Sequence, residues 1–353
     1  MSAPLTRRRA TLHLAGALLA PILPAAARAQ SGALPYAERD DVQQWAARTA
    51  ASHALPEDWV RAALAQARFL PRVQRLMLPA PAGSRNWRAY RRRFVEPVRI
   101  RAGVRFWRRH AATLARAERQ YGVPPEIICG ILGVETLYGR NMGSFRVLDA
   151  LATLTFDFPP EHPRFAARQP YFAGELAAFL QLCRSNGYAP TQPLGSYAGA
   201  MGIAQFMPTS WQRYAVDFDG DGRIDLWHSA ADAIGSVASY FAGYGWKPGV
   251  PTRWPVYLME DAKLPQLLAN DIQPSTSAAQ MRALGARPLG SGGDYGGQLA
   301  LIELPNGENS APDYLAGSEN FYVVTRYNHS SLYAMAVLEL GEAIAQAVRD
   351  EQG

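Results

Sequence analysis

Cysteine is scarce in this chain of 353 residues, which contains only Cys129 and Cys183. At most one intrachain disulfide can form, and the spacing alone does not show that its geometry is met. A scaffold held together mainly by disulfides is therefore excluded. We interpret both residues as buried free thiols.

Long apolar runs are also lacking. The run from Leu12 to Leu23 is too short for a comfortable membrane span, and no other stretch approaches about 20 apolar residues. Three arginines precede this run, and Ala27-Arg28-Ala29 follows it with the small-residue spacing of a signal-peptidase site. Residues 1–29 are thus predicted to be a cleavable signal peptide, whose TRRRATL segment also loosely fits a twin-arginine signal. We expect a periplasmic protein without a stable membrane anchor.

Acidic residues are absent from the signal peptide and rare in one later segment. The net charge of +6 includes four signal-peptide arginines, so the mature chain carries +2. From Arg85 to Arg109 there are ten arginines and one acid, Glu96. Such a run is either a solvated helix face or a surface that attracts an anionic polymer, and its central arginines are Arg91, Arg92 and Arg93. Nucleic acid is a poor candidate partner for an exported chain.

The mature chain, about 324 residues, is long enough for two or three packed units. Helical periodicity predicts an N-terminal helical region at 30–120, with helices over 38–53, 56–69, 86–94 and 98–121. Prolines and a glycine between 71 and 83 are expected to break it. A helical core is predicted at 121–250, in which the small residues of Gly195–Met207 suit a loop that lets backbone come close to a ligand.

The rest of the chain has a different composition. Residues 251–320 are rich in proline, glycine and serine and contain strand candidates such as Leu299–Leu304, so we predict a small irregular β-containing lobe. A strand at Phe321–Tyr327 and an apolar helix at Ser331–Val348 are predicted to complete the cleft within 321–353. The predicted fold class is mainly α (α+β).

One helix carries an acid among apolar residues. In the segment 122–140, GVPPEIICGILGVETLYGR, two prolines and Glu126 suit a helix start near Pro124. At about 100° per residue, Glu135 shares a stripe with apolar residues, while two glycines fall opposite. That stripe comprises Ile128, Ile131, Leu132 and Tyr138.

A carboxyl group in such a place is desolvated, which raises its pKa and suits a general acid near neutral pH. The alternative is a glutamate at the rim of the apolar face, satisfied by an arginine or a backbone amide. Cys129 lies well off the stripe, so we do not consider it a nucleophile.

Six ordered segments resemble the lytic murein transglycosylase B family. They begin with the segment at 122–140 and continue with LDALATLTFDFP, GSYAGAMGIAQFMPTSW, DFDGDGRIDLW, ADAIGSVASYFAGYGW and RYNHSSLYAMAV. The resemblance runs from Tyr90 to the C-terminus and is interrupted chiefly by the predicted lobe.

This resemblance implies a lysozyme-like helical core and one catalytic glutamate, which matches Glu135. It also implies cleavage of the bond from N-acetylmuramic acid to N-acetylglucosamine without water, giving a 1,6-anhydromuramoyl end. Glu135 would first protonate the leaving oxygen and then accept the proton of the sugar's own C6 hydroxyl. No catalytic cofactor is implied. The implied partners are peptidoglycan glycan strands and other cell-wall enzymes.

The resemblance further implies a set of sugar-binding positions. Tyrosine rings stack on pyranose faces, and serine, glutamine and asparagine bind hydroxyl and acetamido groups. The matching residues are Tyr90, Ser196, Gln205, Tyr240, Tyr327, Asn328 and Tyr333. For any one of these tyrosines, core or helix-end packing is the alternative. Where many relatives have two adjacent arginines, this chain has PPEHPRFAARQP, so either Arg164 or Arg168 replaces them or neither does.

The segment DFDGDGRID has acids at positions 1, 3 and 5 of an EF-hand loop, with Gly222 at position 6. These spacings predict a structural calcium site. Its ligands would be Asp217, Asp219 and Asp221, with Arg223 contributing its backbone carbonyl. Position 12, normally glutamate, is His228, and the family resemblance implies Asp232 as a replacement. The alternative is a metal-free turn whose acids cap the following helix.

Overall fold

The computed structural model describes residues 34–79 and 85–351. These residues are mainly helical, with one five-stranded antiparallel sheet and one two-stranded pair. The predicted mainly α fold class is therefore confirmed. The predicted signal peptide, residues 1–29, lies outside the described residues.

The N-terminal region is helical, as predicted. It contains α1 (Asp40–His53), α2 (Glu57–Ala65), α3 (Pro71–Met77), α4 (Trp87–Phe94), α5 (Pro97–Arg109) and α6 (Ala111–Tyr121). The single helix predicted over 98–121 is wrong, because the chain leaves the helical conformation at His110, where φ is −115° and ψ is 22°. The helix predicted over 56–69 ends earlier, at Ala65, and the chain is not helical again until Pro71 begins α3, since proline is tolerated in the first turn of a helix.

The central region holds the helices predicted for the core. It contains α7 (Pro125–Thr136), β1 (Phe145–Arg146), α8 (Val147–Phe156), α9 (Phe165–Asn186), β2 (Leu194–Gly195), α10 (Pro208–Tyr214) and α11 (Ala230–Gly243). Helix α8 packs on α9, and α11 packs on α6. Pro125 lies in the first turn of α7, where its missing amide costs no hydrogen bond.

The segment from 253 to 317, within the range predicted as a small lobe, forms the five-stranded sheet and two short helices. It contains β3 (Arg253–Leu258), α12 (Leu264–Leu267), β4 (Thr276–Ser277), α13 (Ala278–Ala283), β5 (Ala286–Pro288), β6 (Gln298–Leu304) and β7 (Asp313–Gly317). The sheet order is β4-β6-β7-β3-β5, and Ala316 on β7 lies opposite both Leu301 and Trp254. Trp254, Met281 and Leu301 belong to a small apolar cluster separate from the main core.

The C-terminal segment consists of α14 (Glu319–Thr325) and α15 (Ser331–Asp350). The strand predicted at Phe321–Tyr327 is wrong, because most of this segment lies in α14. Its β-branched and aromatic residues favour a strand locally, but the Ser318 hydroxyl accepts the amide of Asn320 and caps a helix start. Phe321 and its neighbours are buried in the main core, so tertiary packing outweighs local propensity.

Helices α7 and α15 form a close pair at the centre of the molecule. A Cβ added at Gly130 would lie 2.3 Å from the carbonyl oxygen of Val337, and one at Gly341 would lie 2.2 Å from that of Glu126. These glycines let the two backbones touch. The face of α7 expected to lie opposite the Glu135 stripe is therefore also buried.

Helix α15 is long and apolar enough to cross a membrane by length and composition alone, with a mean hydropathy of 1.2 over 18 residues. However, 72% of that window is buried within the protein, as for a core helix. Cys129 and Cys183 are both buried and unpaired, which confirms the interpretation as free thiols.

Candidate active site

Glu135 lies in the last turn of α7, which ends in an unusual backbone conformation. The two residues after the helix, Leu137 and Tyr138, have φ values of 51° and 58°, in the left-handed region that residues other than glycine rarely adopt. Their amides donate to the carbonyls of Gly133 and Leu132, at 3.2 Å and 3.1 Å, and so close the helix. Such conformations cluster at functional sites, because the surrounding structure must enforce them.

Thr136 joins this helix end to the predicted ligand loop at 195–207. Its hydroxyl donates to the carbonyl of Ile203 and accepts the amide of Gly139, each at 2.8 Å. The Ile203 amide in turn donates to the Leu226 carbonyl at 2.7 Å. The loop is thus fixed beside Glu135 by buried hydrogen bonds.

The glycines of this loop serve close contacts between backbone segments. A Cβ added at Gly195 would lie 2.2 Å from the carbonyl oxygen of Ala200, and one at Gly202 would lie 2.5 Å from that of Leu226. Residues with side chains would push these segments apart.

Tyr333 is the hydrogen-bond partner of Glu135. Its hydroxyl, in the first turn of α15, donates to Oε1 of Glu135 at 2.5 Å. Burial raises the pKa of Glu135 to about 7, while the hydrogen bond from Tyr333 acts in the opposite direction. The carboxyl group can therefore be protonated near neutral pH, which is the direction expected from the sequence.

Three of the four predicted tyrosines form a row of rings that begins beside Glu135 at Tyr333. The ring of Tyr327 stacks 6.3 Å from that of Tyr333, and the ring of Tyr240 lies 4.8 Å from that of Tyr327. Tyr90, on α4, is close enough to Glu135 to be affected by its charge. Burial and then the charge of Glu135 raise the pKa of the Tyr90 hydroxyl.

Backbone carbonyls fix two of these rings. The hydroxyl of Tyr327 donates to the carbonyl of Ala204, and that of Tyr240 donates to the carbonyl of Arg326, each at 2.8 Å. The first bond ties the tyrosine cluster to the loop at 195–207.

The three predicted polar positions lie on two neighbouring segments. The Ser196 hydroxyl accepts the Ala200 amide at 3.0 Å, and the Gln205 side-chain amide donates to the carbonyls of Gly202 and Met142 at 2.9 Å and 3.1 Å. Both are half-buried on the loop that holds Tyr327. Asn328 follows Tyr327 in the chain and is exposed.

Arg164 and Arg168 lie at the His329 end of this region. Burial and the nearby guanidinium groups of Arg326, Arg164 and Arg168 lower the pKa of His329. The Arg168 guanidinium also lies over the ring of Phe172, 5.0 Å from its centroid. Both arginines therefore approach the segment that carries Asn328.

The sequence did not point to two further groups. Thr136 gave no signal, because its acceptor at Ile203 is 67 positions away. Tyr244 lies four residues after Tyr240 on the helical repeat, and its ring lies 4.5 Å from that of Tyr240. The i, i+4 spacing was the available signal for Tyr244.

Several arginines of the basic run at 85–109 are held by contacts within the protein. Arg91 forms an ion pair with Glu339 on α15, and Arg108 forms one with Glu351. The guanidinium of Arg99 lies 5.2 Å from the centroid of the Phe94 ring and is half-buried. Arg92 and Arg93 are exposed on α4, next to Tyr90.

The acidic loop gathers the three carboxylates predicted to bind calcium. Oxygens of Asp217, Asp219 and Asp221 all lie within 4.8 Å of one another. Gly220 and Gly222 have φ values of 81° and 88°, and their amides donate to Asp217 at 2.7 Å and 2.8 Å. The backbone thus turns sharply around a set of hard oxygen donors, which suits calcium.

Asp232, which the resemblance implies as a further ligand, stays a prediction; burial and, to a smaller extent, the charge of Asp219 raise its pKa. Asp232 is buried, and its two oxygens accept the amides of Phe218 and Asp225 at 2.7 Å and 2.8 Å. It therefore holds the two ends of the loop together. His228, at position 12, contacts Asp225 through Nδ1 at 2.9 Å.

Residues 37–342 match the family model described as a transglycosylase SLT domain. The chain belongs to this family. The transglycosylase is 42% identical to membrane-bound lytic murein transglycosylase B of Escherichia coli K12 over 321 residues, 88% of this chain and 84% of that protein. It is accordingly an enzyme of the lytic transglycosylase type.

Solved structures resemble this transglycosylase over most of its length. The Escherichia coli lytic transglycosylase SLT35 in complex with calcium is 41% identical, with a TM-score of 0.74, covering 89% of this chain and 94% of that one. SltB3 of Pseudomonas aeruginosa in complex with NAG-anhNAM-pentapeptide is 30% identical, with a TM-score of 0.72, covering 86% and 79%.

Proposed function

We propose that this transglycosylase cleaves the β-1,4 bond from N-acetylmuramic acid to N-acetylglucosamine in peptidoglycan and leaves a 1,6-anhydromuramoyl end. The observation that carries the proposal is the Glu135 carboxyl group, which accepts the hydrogen bond of the Tyr333 hydroxyl. Burial raises the pKa of Glu135 to about 7, so the group can act as an acid near neutral pH. Ordinary glycosidases use a second carboxylate about 5 to 9.5 Å from the acid, whereas the proposal assigns the part of the nucleophile to the substrate.

A single carboxyl group suffices if the substrate supplies the nucleophile. The protonated Glu135 donates its proton to the leaving glycosidic oxygen as the bond to the anomeric carbon breaks. The resulting carboxylate then accepts the proton of the muramoyl C6 hydroxyl, whose oxygen bonds to the same anomeric carbon. Glu135 ends protonated again, and no water is consumed.

Tyr333 has a second task in this cycle. Its hydroxyl donates to the carboxylate oxygen of Glu135, so it stabilises the charged form that exists between the two proton transfers. The surrounding rings of Tyr90, Tyr240 and Tyr327 supply apolar faces for the sugar units. The complex of SltB3 with NAG-anhNAM-pentapeptide supports a substrate of this class.

Mass spectrometry of digested murein tests the reaction. The proposal predicts soluble products whose ends are lighter than hydrolytic ends by the mass of one water. Reducing ends would instead indicate a lysozyme-like hydrolase, and the absence of soluble products from folded protein would indicate a wall-binding module. Glu135→Gln keeps the size of the side chain and should lower cleavage by about 10²- to 10⁴-fold, with binding retained.

A structural calcium ion at the acidic loop is the second part of the proposal. Asp217, Asp219 and Asp221 would supply carboxylate oxygens, and Arg223 its backbone carbonyl. The similar SLT35 structure in complex with calcium supports this assignment. The loop connects α10 and α11, so the ion would stabilise that connection.

Export completes the proposal. Cleavage after Ala29 would release a periplasmic chain that meets glycan strands and other cell-wall enzymes. The predicted signal peptide and the name of the Escherichia coli relative support a location at the cell envelope. Sequencing the N-terminus of the exported protein tests it, since the mature chain should begin at Gln30.

A further inference from the structure

A polar pocket lies on the surface along α10, where the C-terminal end of α11 approaches it. Its volume is about 450 Å³. It is lined by Thr209, Ser210, Gln212, Arg213, Tyr214 and Tyr244. The proposed reaction involves none of these side chains.

Tyrosine rings connect the pocket to Glu135. The ring of Tyr244 lies 4.5 Å from that of Tyr240, and the ring of Tyr214 lies 5.0 Å from it. From Tyr240 the contacts continue through Tyr327 to Tyr333, which donates to Glu135. A row of packed rings thus connects the wall of the pocket with the active site, and the rings of Tyr240, Tyr327 and Tyr333 lie between Tyr244 and the Glu135 carboxyl group.

The walls of the pocket suit a sugar ring. Tyr244 is 40% exposed, which is unusual for a large aromatic side chain that packs on two other rings. The Arg213 guanidinium lies 5.8 Å from the centroid of the Tyr214 ring and makes no ion pair within the described residues. Aromatic faces beside hydroxyl, amide and guanidinium groups can stack on a pyranose and bind its polar substituents.

We propose that this pocket binds a pyranose unit of the same glycan strand, several units from the bond that is cleaved. This inference rests on the proposed function, because the strand in the Glu135 cleft is what reaches the pocket. It gives the enzyme a preference for long strands, since a short oligosaccharide bound at Glu135 does not extend to Tyr244.

Binding of defined glycan oligomers of increasing length to the Glu135→Gln protein tests the pocket. We expect affinity to rise with length, and Tyr244→Ala in that background to lower the long-to-short affinity ratio by about 2- to 10-fold. Tyr244→Phe should restore the ratio if ring stacking provides the affinity. Tyr257→Ala is the control, because Tyr257 is an exposed tyrosine on β3, outside the pocket, and is 58% exposed against 40% for Tyr244.

The outcomes separate the pocket from the reaction. If Tyr244→Ala keeps the length preference, or if the Glu135→Gln protein binds short and long strands equally, the pocket proposal is overturned while the proposed cleavage at Glu135 stands. If the unmodified enzyme neither binds nor cleaves any strand, the proposed function fails together with the pocket. Equal melting temperatures of the variants would show that Tyr240 and its neighbours have not collapsed.

Discussion

Two opposing effects set the acidity of Glu135. Burial raises its pKa to about 7, and the hydroxyl of Tyr333 favours the charged form. Tyr333→Phe removes that hydroxyl, so the pKa of Glu135 should rise further. Because the acid must be protonated to act, the alkaline limb of kcat/KM against pH should move to higher pH. Tyr240→Phe is the control, since the Tyr240 hydroxyl donates to the Arg326 carbonyl, and its limb should not move.

The same pKa predicts a stability change that does not depend on activity. The folded state holds the pKa of Glu135 near 7, above its ordinary value of 4.5. Its contribution to folding is complete below pH 4.5 and is lost as pH rises through 7. Glu135→Gln cannot ionise, so it does not lose this contribution as pH rises. The free energy of unfolding of the variant minus that of the parent should therefore be greater at pH 8 than at pH 4, by roughly 3 kcal/mol. Urea unfolding of both proteins at both pH values measures this, and the same variant-minus-parent value at both would mean that Glu135 has an ordinary pKa.

At the scale of elements, the glycine contacts between α7 and α15 set the distance from Glu135 to Tyr333. Gly130→Ala would force a methyl group against the Val337 carbonyl, so we expect a loss of about 1 to 3 kcal/mol in stability and reduced cleavage. Gly174→Ala on α9 is the control, because a Cβ there meets nothing within 4 Å. That variant should gain about 0.5 to 1 kcal/mol, and a similar loss in both would disprove the contact argument.

The acidic loop between α10 and α11 allows a second test at this scale. Calcium that binds only the folded state should increase the free energy of unfolding by about 2.7 kcal/mol when free calcium is 100 times Kd. The melting temperature should rise accordingly. Asp221→Asn should abolish this rise, while Asp261→Asn, at an exposed acid in the small lobe, should not. Protein first shown to be metal-free is needed, and equal melting temperatures in EDTA and in millimolar calcium would refute the site.

The sequence predicts elements well where local signals and packing agree. Proline at the start of α7 and the apolar stripe around Glu135 identify that helix and its buried acid. The break at His110 has no proline or glycine to mark it, so it could not be foreseen. Helix α14 has the residue types of a strand, so local propensity predicts a strand there. Its burial in the main core favours the helix instead.

The contacts within the candidate site are harder to predict from local sequence than the helices are. Burial of Glu135 follows from the pattern of its own helix, but its partner Tyr333 is 198 positions away. Only the family resemblance, not spacing or periodicity, links these two residues. Asp232, which the resemblance implies as an ion ligand, is likewise fixed by contacts that no local pattern shows, because its oxygens accept the amides of Phe218 and Asp225.

For the molecule as a whole, charge is the property that bears on an insoluble substrate. Arg91, Arg92 and Arg93 flank Tyr90, so their replacement by serine should weaken attraction to anionic wall polymer and reduce the salt dependence of sacculus cleavage. Replacing Arg101, Arg105 and Arg109 removes the same charge from exposed positions on α5 and serves as the control. Identical salt dependence in both variants and the parent would leave the run as a solvated helix face.

The hydrogen bond between Glu135 and Tyr333 can form only when nearly the whole chain has been made. The ribosome makes Glu135 198 residues before it makes Tyr333, and the helix that packs on α7 is almost the last part of the chain to emerge. Before α15 docks, the carboxyl group lacks both the burial and the hydrogen bond that set its pKa in the folded protein. If Glu135 is the acid, as proposed, the last stretch of polypeptide completes the active site.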